Sequence, residues 1–207
     1  MHTSRLQDFL NLRWNLHTQN PLIAPPFPSP IIADPTFIFP AQSPDGRWHL
    51  YAHSLLGIHH FVSSDGLHWQ RRERVLGRGL RPFLYCGANG YWLLYERNLS
   101  KGVFPLNWLG QWHSRLEMIH SPDLLRWSGP TVLLEPNLEW QQNPALGRAV
   151  SNPCLLEVNG QFWLYYSAGL VQLKDCGFNE PLYIGIAVSD RLTGPYKPLE
   201  QPILRPS

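Results

Sequence analysis

The sequence contains three copies of one motif, and this repeat constrains the fold more than any other feature. Each copy opens with a polar residue, a Pro and a short apolar run. These openings are residues 34–39, 81–85 and 152–156. A turn containing Gly and a segment of aromatic residues, Leu and Tyr follow each opening, and we predict hairpin turns at Asp45-Gly46, Asn89-Gly90 and Asn159-Gly160. Self-similarity of this kind predicts a fold built from repeated supersecondary units.

Each copy continues with a third strand that ends in a Ser/Asp turn and then a short closing element. We place the third strands and their turns at 61–69, 118–127 and 186–196, and the closing elements at 74–76, 131–136 and 202–206. Four antiparallel strands per copy form the blade of a β-propeller. The sequence therefore predicts an all-β β-propeller of four-stranded antiparallel blades, with an N-terminal arm at 1–19 and blades at 31–77, 78–136 and 146–206.

The number of blades raises the question of how the ring closes. Residues 20–25 resemble a closing element but precede the first blade, so we predict a ring-closing strand within the propeller domain, 20–207. Propellers typically have about four to eight blades, and three blades do not comfortably close a ring. We therefore expect either a partial propeller or an oligomer in which a partner covers the open blade edges, because unpaired edges invite pairing.

Composition supports this fold and argues against several classes of partner. Nine Trp, eight Tyr and nine Phe suit short aromatic strands. Lys and Arg total 17 against 15 Asp and Glu, with no long basic run, so we expect no nucleic-acid partner. Apolar stretches are much shorter than the roughly 20 residues of a membrane helix, and the first residues lack a signal-peptide core. We expect no membrane partner and a cytoplasmic location.

Three segments together carry a family resemblance: residues 33–35 at the start of an inner strand, residues 189–196 ending in Gly-Pro-Tyr, and residues 20–23 before the first blade. They resemble glycoside hydrolase family 43 and its relatives. This resemblance implies a five-bladed propeller, of which three blades are present, and no cofactor. It also implies hydrolysis of arabinosyl, xylosyl and related linkages with inversion, by three carboxylates around a central funnel.

The resemblance assigns roles to two of the three residues that precede Pro. It implies that Asp34 is the general base, the other interpretation being an Asp that caps a turn before Pro. The family has a pKa-tuning Asp at the position of Asn152, so an uncharged amide here leaves acid catalysis weakened or moved and suits orientation of the substrate. The family's general acid, a Glu, belongs to a fourth blade that this sequence does not contain.

Three further charged or polar residues are candidates for the same funnel. Arg81 precedes Pro in the second copy, where a guanidinium can bind sugar hydroxyls or a carboxylate, or form a structural ion pair. Glu96 is a reserve general acid, with a solvated rim charge as the alternative. His53 is a candidate for sugar contact. Adjacent His59 and His60 would point to opposite faces of a strand, so we predict no metal site.

Tryptophans in the long interruptions complete the predicted site. Trp108, Trp112 and Trp140 could stack on sugar rings or pack in the interior. The sequence thus predicts a glycoside hydrolase-like protein acting on small glycosides or oligosaccharides. The alternatives are a non-catalytic carbohydrate-binding or interaction propeller, favoured by Asn152, and an incomplete inactive fragment.

Overall fold

A computed structural model describes residues 10–13, 15–102, 110–175, 177 and 179–206. Strands dominate these residues, and short 3-10 helices lie between strands at Pro40–Gln42 and Glu139–Gln141. Within the described ranges there is no helix both long and apolar enough to cross a membrane. The predicted all-β class with four-stranded antiparallel blades is confirmed.

The first and third blades are four-stranded antiparallel sheets with neighbouring strands in chain order. The strands of blade 1 are β1 (Ala33–Ile38), β2 (Trp48–Ser54), β3 (Gly57–Ser63) and β4 (Gln70–Leu76). The strands of blade 3 are β11 (Val150–Val158), β12 (Gln161–Gln172), β13 (Asn179–Ser189) and β14 (Lys197–Pro198). Beyond β14, an isolated bridge joins Leu204 to Ile184, so the predicted closing element at 202–206 makes only one such contact in the described chain.

Blade 2 carries two additional short strands. Its own strands are β5 (Gly79–Gly87), β6 (Gly90–Asn98), β7 (Trp112–Ser121) and β8 (Thr131–Leu134). The connection to blade 3 adds β9 (Gln142–Asn143) and β10 (Gly147–Arg148), and β10 pairs in parallel with the start of β7. Residues 147 and 148, which we predicted within blade 3, therefore belong to the sheet of blade 2.

The core lies between neighbouring blades because strand residues alternate between the two faces of a sheet. In β6, Leu93 and Tyr95 pack in a cluster with Tyr51 of blade 1. The residue between them, Leu94, packs in a second cluster with Leu164 of blade 3. The sheet faces at which neighbouring blades meet are therefore buried. Their packing holds the three sheets side by side.

The hairpin turns differ from one blade to the next. In blade 3, Val158 pairs with Gln161, so Asn159-Gly160 is the turn, as predicted. In blade 2, Gly87 pairs with Gly90, so the turn is Ala88-Asn89 and the prediction was wrong by one residue. In blade 1, the 3-10 helix Pro40–Gln42 lengthens the connection before Gly46. The Gly residues align the second strands in the sequence. Because the turn of blade 2 comes one residue earlier, the residues of its second strand lie one position away from those that this alignment makes equivalent to them.

The segments before blade 1 form no strand in the described chain. Residues 20–25 lie outside the sheets, and Asn20, Leu22 and Ile23 line a groove on the free face of blade 1. The ring-closing role of this segment stays a prediction. Residues 1–9 of the predicted arm lie outside the described residues, and Leu16 within it is 91% exposed.

Candidate functional site

The innermost strand of every blade has a β-bulge at the same place. Pairing shifts by one residue between Ala33 and Thr36 in β1, and the equivalent shifts occur in β5 and β11. The extra residue and the Pro after it are Asp34-Pro35, Arg81-Pro82 and Asn152-Pro153. A bulge re-aims the side chains of its strand, which is why bulges are frequent next to active sites.

The residue before each of these Pro residues has a left-handed backbone. The φ angles are 50° for Asp34, 49° for Arg81 and 48° for Asn152. A non-glycine residue in this region is strained by about 1–3 kcal/mol and persists only where the surroundings hold it. Three equivalent strained positions, all with polar side chains, therefore lie on the inner strands of the three blades.

Each strained residue contacts a side chain at the same position of the next strand. Asp34 Oδ2 lies 3.3 Å from His53 Nδ1, and Arg81 Nη1 donates to Glu96 Oε2 at 2.5 Å. In blade 3 the Asn152 amide donates to the Ser167 hydroxyl at 2.7 Å. The partners are equivalent because each pairs with the residue that precedes a bulge: Ala33 with His53, Leu80 with Glu96, and Ser151 with Ser167.

His53 connects blade 1 to blade 2. Its Nδ1 lies 3.2 Å from the backbone nitrogen of Arg81, as well as near Asp34. Burial lowers the pKa of His53 below its ordinary value, although the charge of Asp34 opposes this. A neutral ring can use Nδ1 either to donate to Asp34 or to accept from Arg81, but not both at once. The tautomer of His53 is therefore coupled to the position of both residues.

Blade 2 contributes the buried carboxylate of Glu96 to the site. Its side chain has 0% exposure, and its two oxygens accept hydrogen bonds from Arg81 and from Trp112 Nε1, the latter at 2.7 Å. The carboxylate in turn raises the pKa of Arg81 above its ordinary value. A cavity of about 130 Å³ lies beside this ion pair, and Ser151, Asn179 and Glu180 of blade 3 line it as well.

Comparison with solved structures identifies the fold. An α-L-arabinofuranosidase from Lactobacillus brevis superposes with a TM-score of 0.61 at 15% identity, over 84% of this chain and 56% of that protein. A family 117 glycoside hydrolase from Zobellia galactanivorans gives 0.54 at 17% identity, over 82% of this chain and 56% of that one. The three blades of this chain share the fold of the matching part of these glycoside hydrolases.

A further structure similar to this chain has a different named activity. An N-acetylgalactosamine deacetylase from F. plautii, in complex with blood group B trisaccharide, superposes with a TM-score of 0.60 at 14% identity, over 91% of this chain and 57% of that protein. This chain thus spans little more than half the length of these neighbours. No family model and no curated protein matches the sequence.

The packing of the blades brings most of the predicted site residues together. Asp34, His53, Arg81, Glu96 and Trp112 form one chain of contacts across blades 1 and 2. Asn152 occupies the equivalent position on blade 3. Their roles stay predictions, but their proximity does not depend on the resemblance that suggested them.

The other two predicted tryptophans do not join this group. Trp140 stacks on Tyr166, and its Nε1 donates to the backbone oxygen of Glu200 at 3.0 Å. It lines a separate groove with Tyr183 on the outer part of blade 3. Trp108 lies outside the described residues.

Several residues of the propeller site escaped the sequence analysis. Ser167 holds Asn152, and its hydroxyl lies 2.8 Å from that of Ser151. Asn179 and Glu180 reach the cavity from β13. Each of these contact residues pairs with the residue that precedes a bulge. That position identifies His53, Glu96 and Ser167 once the strand register is known. Reading that register needs the pairing across the sheet, because hairpin length varies between the blades.

Proposed function

We propose that the strained inner-strand residues form the base of a carbohydrate site of glycosidase type, with Asp34 as the general base. The recurrence of the bulge in all three blades carries this proposal, because backbone strain is retained where surrounding contacts hold it for function. Arg81 and Asn152 occupy the two equivalent positions and orient the substrate. The substrates are small glycosides or oligosaccharides of the arabinosyl or xylosyl type.

The surroundings of Asp34 suit a base. Its side chain is 49% exposed and so can reach a water molecule, while its carboxylate lies against the ring of His53. An inverting hydrolase needs such a base and a protonated acid roughly 6.5–9.5 Å away. His53 acts as a positioning residue in this proposal, since its ring lies between the Asp34 carboxylate and the backbone nitrogen of Arg81.

Glu96 remains the reserve acid of the proposal, and its contacts define what that role requires. Both of its oxygens accept hydrogen bonds, one from Arg81 and one from Trp112. Because each carboxylate oxygen has two lone pairs, both bonds can persist while one oxygen carries a proton, and delivery of that proton requires that it face the substrate. Trp112 is proposed to contact the substrate beside the cavity, whereas Trp140 lines a separate groove and Trp108 lies outside the described residues.

A second candidate function follows from Asn152. A neutral amide at the third strained position provides no charge to tune an acid. A carbohydrate-binding propeller without hydrolytic activity would keep the same polar surface. Substrate binding without turnover is the property that separates this candidate from the enzyme.

The experiment measures hydrolysis of aryl arabinosides, xylosides, galactosides and fructosides by the chain and its Asp34→Asn variant. Removal of a general base lowers the rate by roughly 10²- to 10⁴-fold. Asp190→Asn, at an exposed turn of blade 3, is the matched control and should retain full activity. Unchanged turnover in Asp34→Asn would refute the role of this residue. Sugar binding by a folded chain with no turnover would favour the second candidate.

A further inference from the structure

Blade 3 has one sheet face that packs on blade 2 and another that no blade of the described chain covers. Cys154 pairs with Tyr165, and Leu156 pairs with Trp163. These four side chains lie on one face of the sheet, because directly paired residues point to the same side. The residues that alternate with them pack against blade 2. The four side chains therefore face away from blade 2, and Leu156 is exposed.

The same positions form the interfaces within the chain. Counted from the bulges, they are Phe83, Tyr85, Trp92 and Leu94 in blade 2 and Thr36, Ile38, His49 and Tyr51 in blade 1. The blade 2 residues pack in the cluster shared with blade 3. In blade 1, Ile38 and Tyr51 pack in the cluster shared with blade 2. We call this side of each blade its forward face, because it packs on the blade that follows in the chain.

The opposite side of each blade, its rear face, packs on the preceding blade. In blade 2 it carries Leu84 and Leu93, which pack in the cluster shared with blade 1. In blade 1 it carries Phe37, Trp48 and Leu50, and no blade precedes it in the described chain. These side chains line a groove of about 530 Å³, together with residues of the N-terminal segment. One forward face and one rear face of the described chain thus have no blade against them.

We propose that the forward face of blade 3 packs on the rear face of blade 1 in a second copy of this chain. A forward face meets a rear face at both interfaces within the described chain. The new contact repeats an interface that the same blade motif already forms twice. Burial of its apolar side chains supplies the driving force for association.

The number of copies follows from the number of blades. Contacts between unlike faces close into a ring or grow into a filament, depending on the rotation at each contact. Two copies of the three described blades give six blades, within the roughly four to eight that propellers typically have. One copy and three copies fall outside that range. The assembly is therefore a closed ring of two copies.

One hydrogen bond between blades 1 and 2 predicts which residues meet at the new interface. The Thr36 hydroxyl accepts from the backbone nitrogen of Leu84 at 3.1 Å. Thr36 is the second residue, and Leu84 the third, after the strained residue of its own strand. The equivalent pair at the new interface is Cys154 of one copy and Phe37 of the second copy.

The second copy also extends the polar surface of the inner strands. His53 of blade 1 contacts the backbone nitrogen of Arg81 in blade 2. The equivalent contact at the new interface places Ser167 of one copy beside the backbone of Asp34 in the second copy. Asn152, which has no following blade in the described chain, then has the Asp34 of the second copy on the next inner strand.

Thiol crosslinking tests the contact between Cys154 and position 37. Cys86→Ser and Cys176→Ser leave Cys154 as the remaining native thiol. In this background, a short bis-maleimide should join Phe37→Cys to Cys154 and give a covalent dimer in a denaturing gel. Blade 2 separates the two positions within one copy. A closed ring of two copies uses both thiols of each copy, so we expect a dimer without larger species. A ladder of larger species would overturn the closed ring.

Two variants in the same background control the crosslinking. Cys154→Ser added to Phe37→Cys should abolish the dimer. A dimer that persists would show that two rear faces pair with each other, which would overturn the contact between unlike faces. Leu125→Cys lies on a blade 2 turn where the native side chain is 66% exposed, and it should give no dimer. Equal yields from Leu125→Cys and Phe37→Cys would overturn the assigned contact.

Sedimentation equilibrium tests the interface without added thiols. The unmodified chain should reach twice the mass of one copy. Leu156→Lys should raise the dissociation constant of the dimer roughly tenfold or more, because it puts an unpaired charge in an apolar interface. Val132→Lys, at an exposed position of the outer strand β8, is the control and should leave it unchanged. Near-UV circular dichroism checks that each variant is folded. A monomer at all concentrations, or equal effects of the two variants, would overturn the interface.

The interface and the proposed function can fail separately. A dimer of the expected mass and crosslinking pattern that hydrolyses no glycoside would retain the interface and refute catalysis. Hydrolysis by a protein that stays monomeric would retain the enzyme and refute the ring.

Discussion

The residues that precede Pro on the inner strands combine a polar side chain with an unfavourable backbone. Asp34, Arg81 and Asn152 share φ angles of 48° to 50°, and each is held by a hydrogen bond or close contact to the neighbouring strand. Asn tolerates left-handed backbone better than most residues, whereas Arg gains no such advantage. Backbone preference therefore does not explain the side chains at these three positions. Contacts with the next strand offset the strain.

Backbone strain at Asn152 can be measured with two substitutions. Asn152→Gly and Asn152→Ala both remove the hydrogen bond to Ser167, but only Gly adopts the left-handed region freely. We expect the Gly variant to be about 1 kcal/mol more stable than the Ala variant in urea unfolding. Equal stabilities, or a more stable Ala variant, would show that the position is not strained.

The ion pair of Arg81 and Glu96 predicts a strong coupling. Arg81→Met leaves the carboxylate of Glu96 buried without its cation, which should reduce the free energy of unfolding by about 3–5 kcal/mol. Adding Glu96→Gln removes the uncompensated charge, so the double variant should regain part of that loss. Urea unfolding of both single variants and the double variant measures the coupling. A double variant no more stable than Arg81→Met would contradict it.

At the scale of strands, β3 places two histidines in the interior of blade 1. His60 Nε2 lies 2.9 Å from His49 Nδ1, and the His60 ring stacks on Tyr51 with centroids 4.6 Å apart. Burial, with smaller effects from His49 and Arg72, lowers the pKa of His60 to about 3. Burial also lowers the pKa of His59 to about 4. Both rings are therefore neutral in the folded protein near neutral pH.

These lowered pKa values predict a loss of stability in acid. Below the ordinary histidine pKa of about 6.5 the unfolded chain binds protons that His59 and His60 in the folded chain do not. Stability should therefore fall between pH 6.5 and pH 4 by up to about 1.4 kcal/mol per pH unit for each histidine. Urea unfolding at several pH values measures this slope.

His60→Gln should reduce the acid dependence because it removes one of the two groups. His68→Gln is the matched control, since the side chain of His68 is 78% exposed. A slope unchanged in His60→Gln would show that His60 titrates equally in both states.

The whole molecule has two sheet faces that no neighbouring blade in the described chain covers. On blade 1, Trp48, Leu50 and Trp69 line a groove of about 530 Å³, and the nearby Phe37 is 48% exposed. On blade 3, Leu156 is 47% exposed. The equivalent sheet faces are buried where neighbouring blades pack together. The two uncovered faces therefore carry the apolar side chains that are typical of a protein interior.

Uncovered faces of this kind predict association between copies of the chain. Exposed apolar surface promotes self-association, so we expect the mass measured by light scattering to rise with protein concentration. Phe37→Lys should lower that mass, because it places a charge on the free face of blade 1. Arg72→Lys, on the charged outer strand β4, keeps the charge and is the control. A monomer at all concentrations would refute the predicted oligomer.

The sequence by itself determined the blade repeat and the three positions that precede Pro. Both are local: strand periodicity, Gly turns and the Pro residues act over a few neighbouring positions, so they are readable without the fold. Asp34, Arg81 and Asn152 could be aligned for this reason. The second strand of blade 2 could not, because its turn is one residue earlier than the Gly suggests.

Tertiary structure alone decided which polar groups meet. His53 reaches the backbone of Arg81 in another blade, and the cavity beside Glu96 is completed by Asn179 and Glu180 of a third. These contacts depend on the distance between sheets that are far apart in sequence. Packing of apolar faces sets that distance, and no local pattern encodes which side chains it brings together.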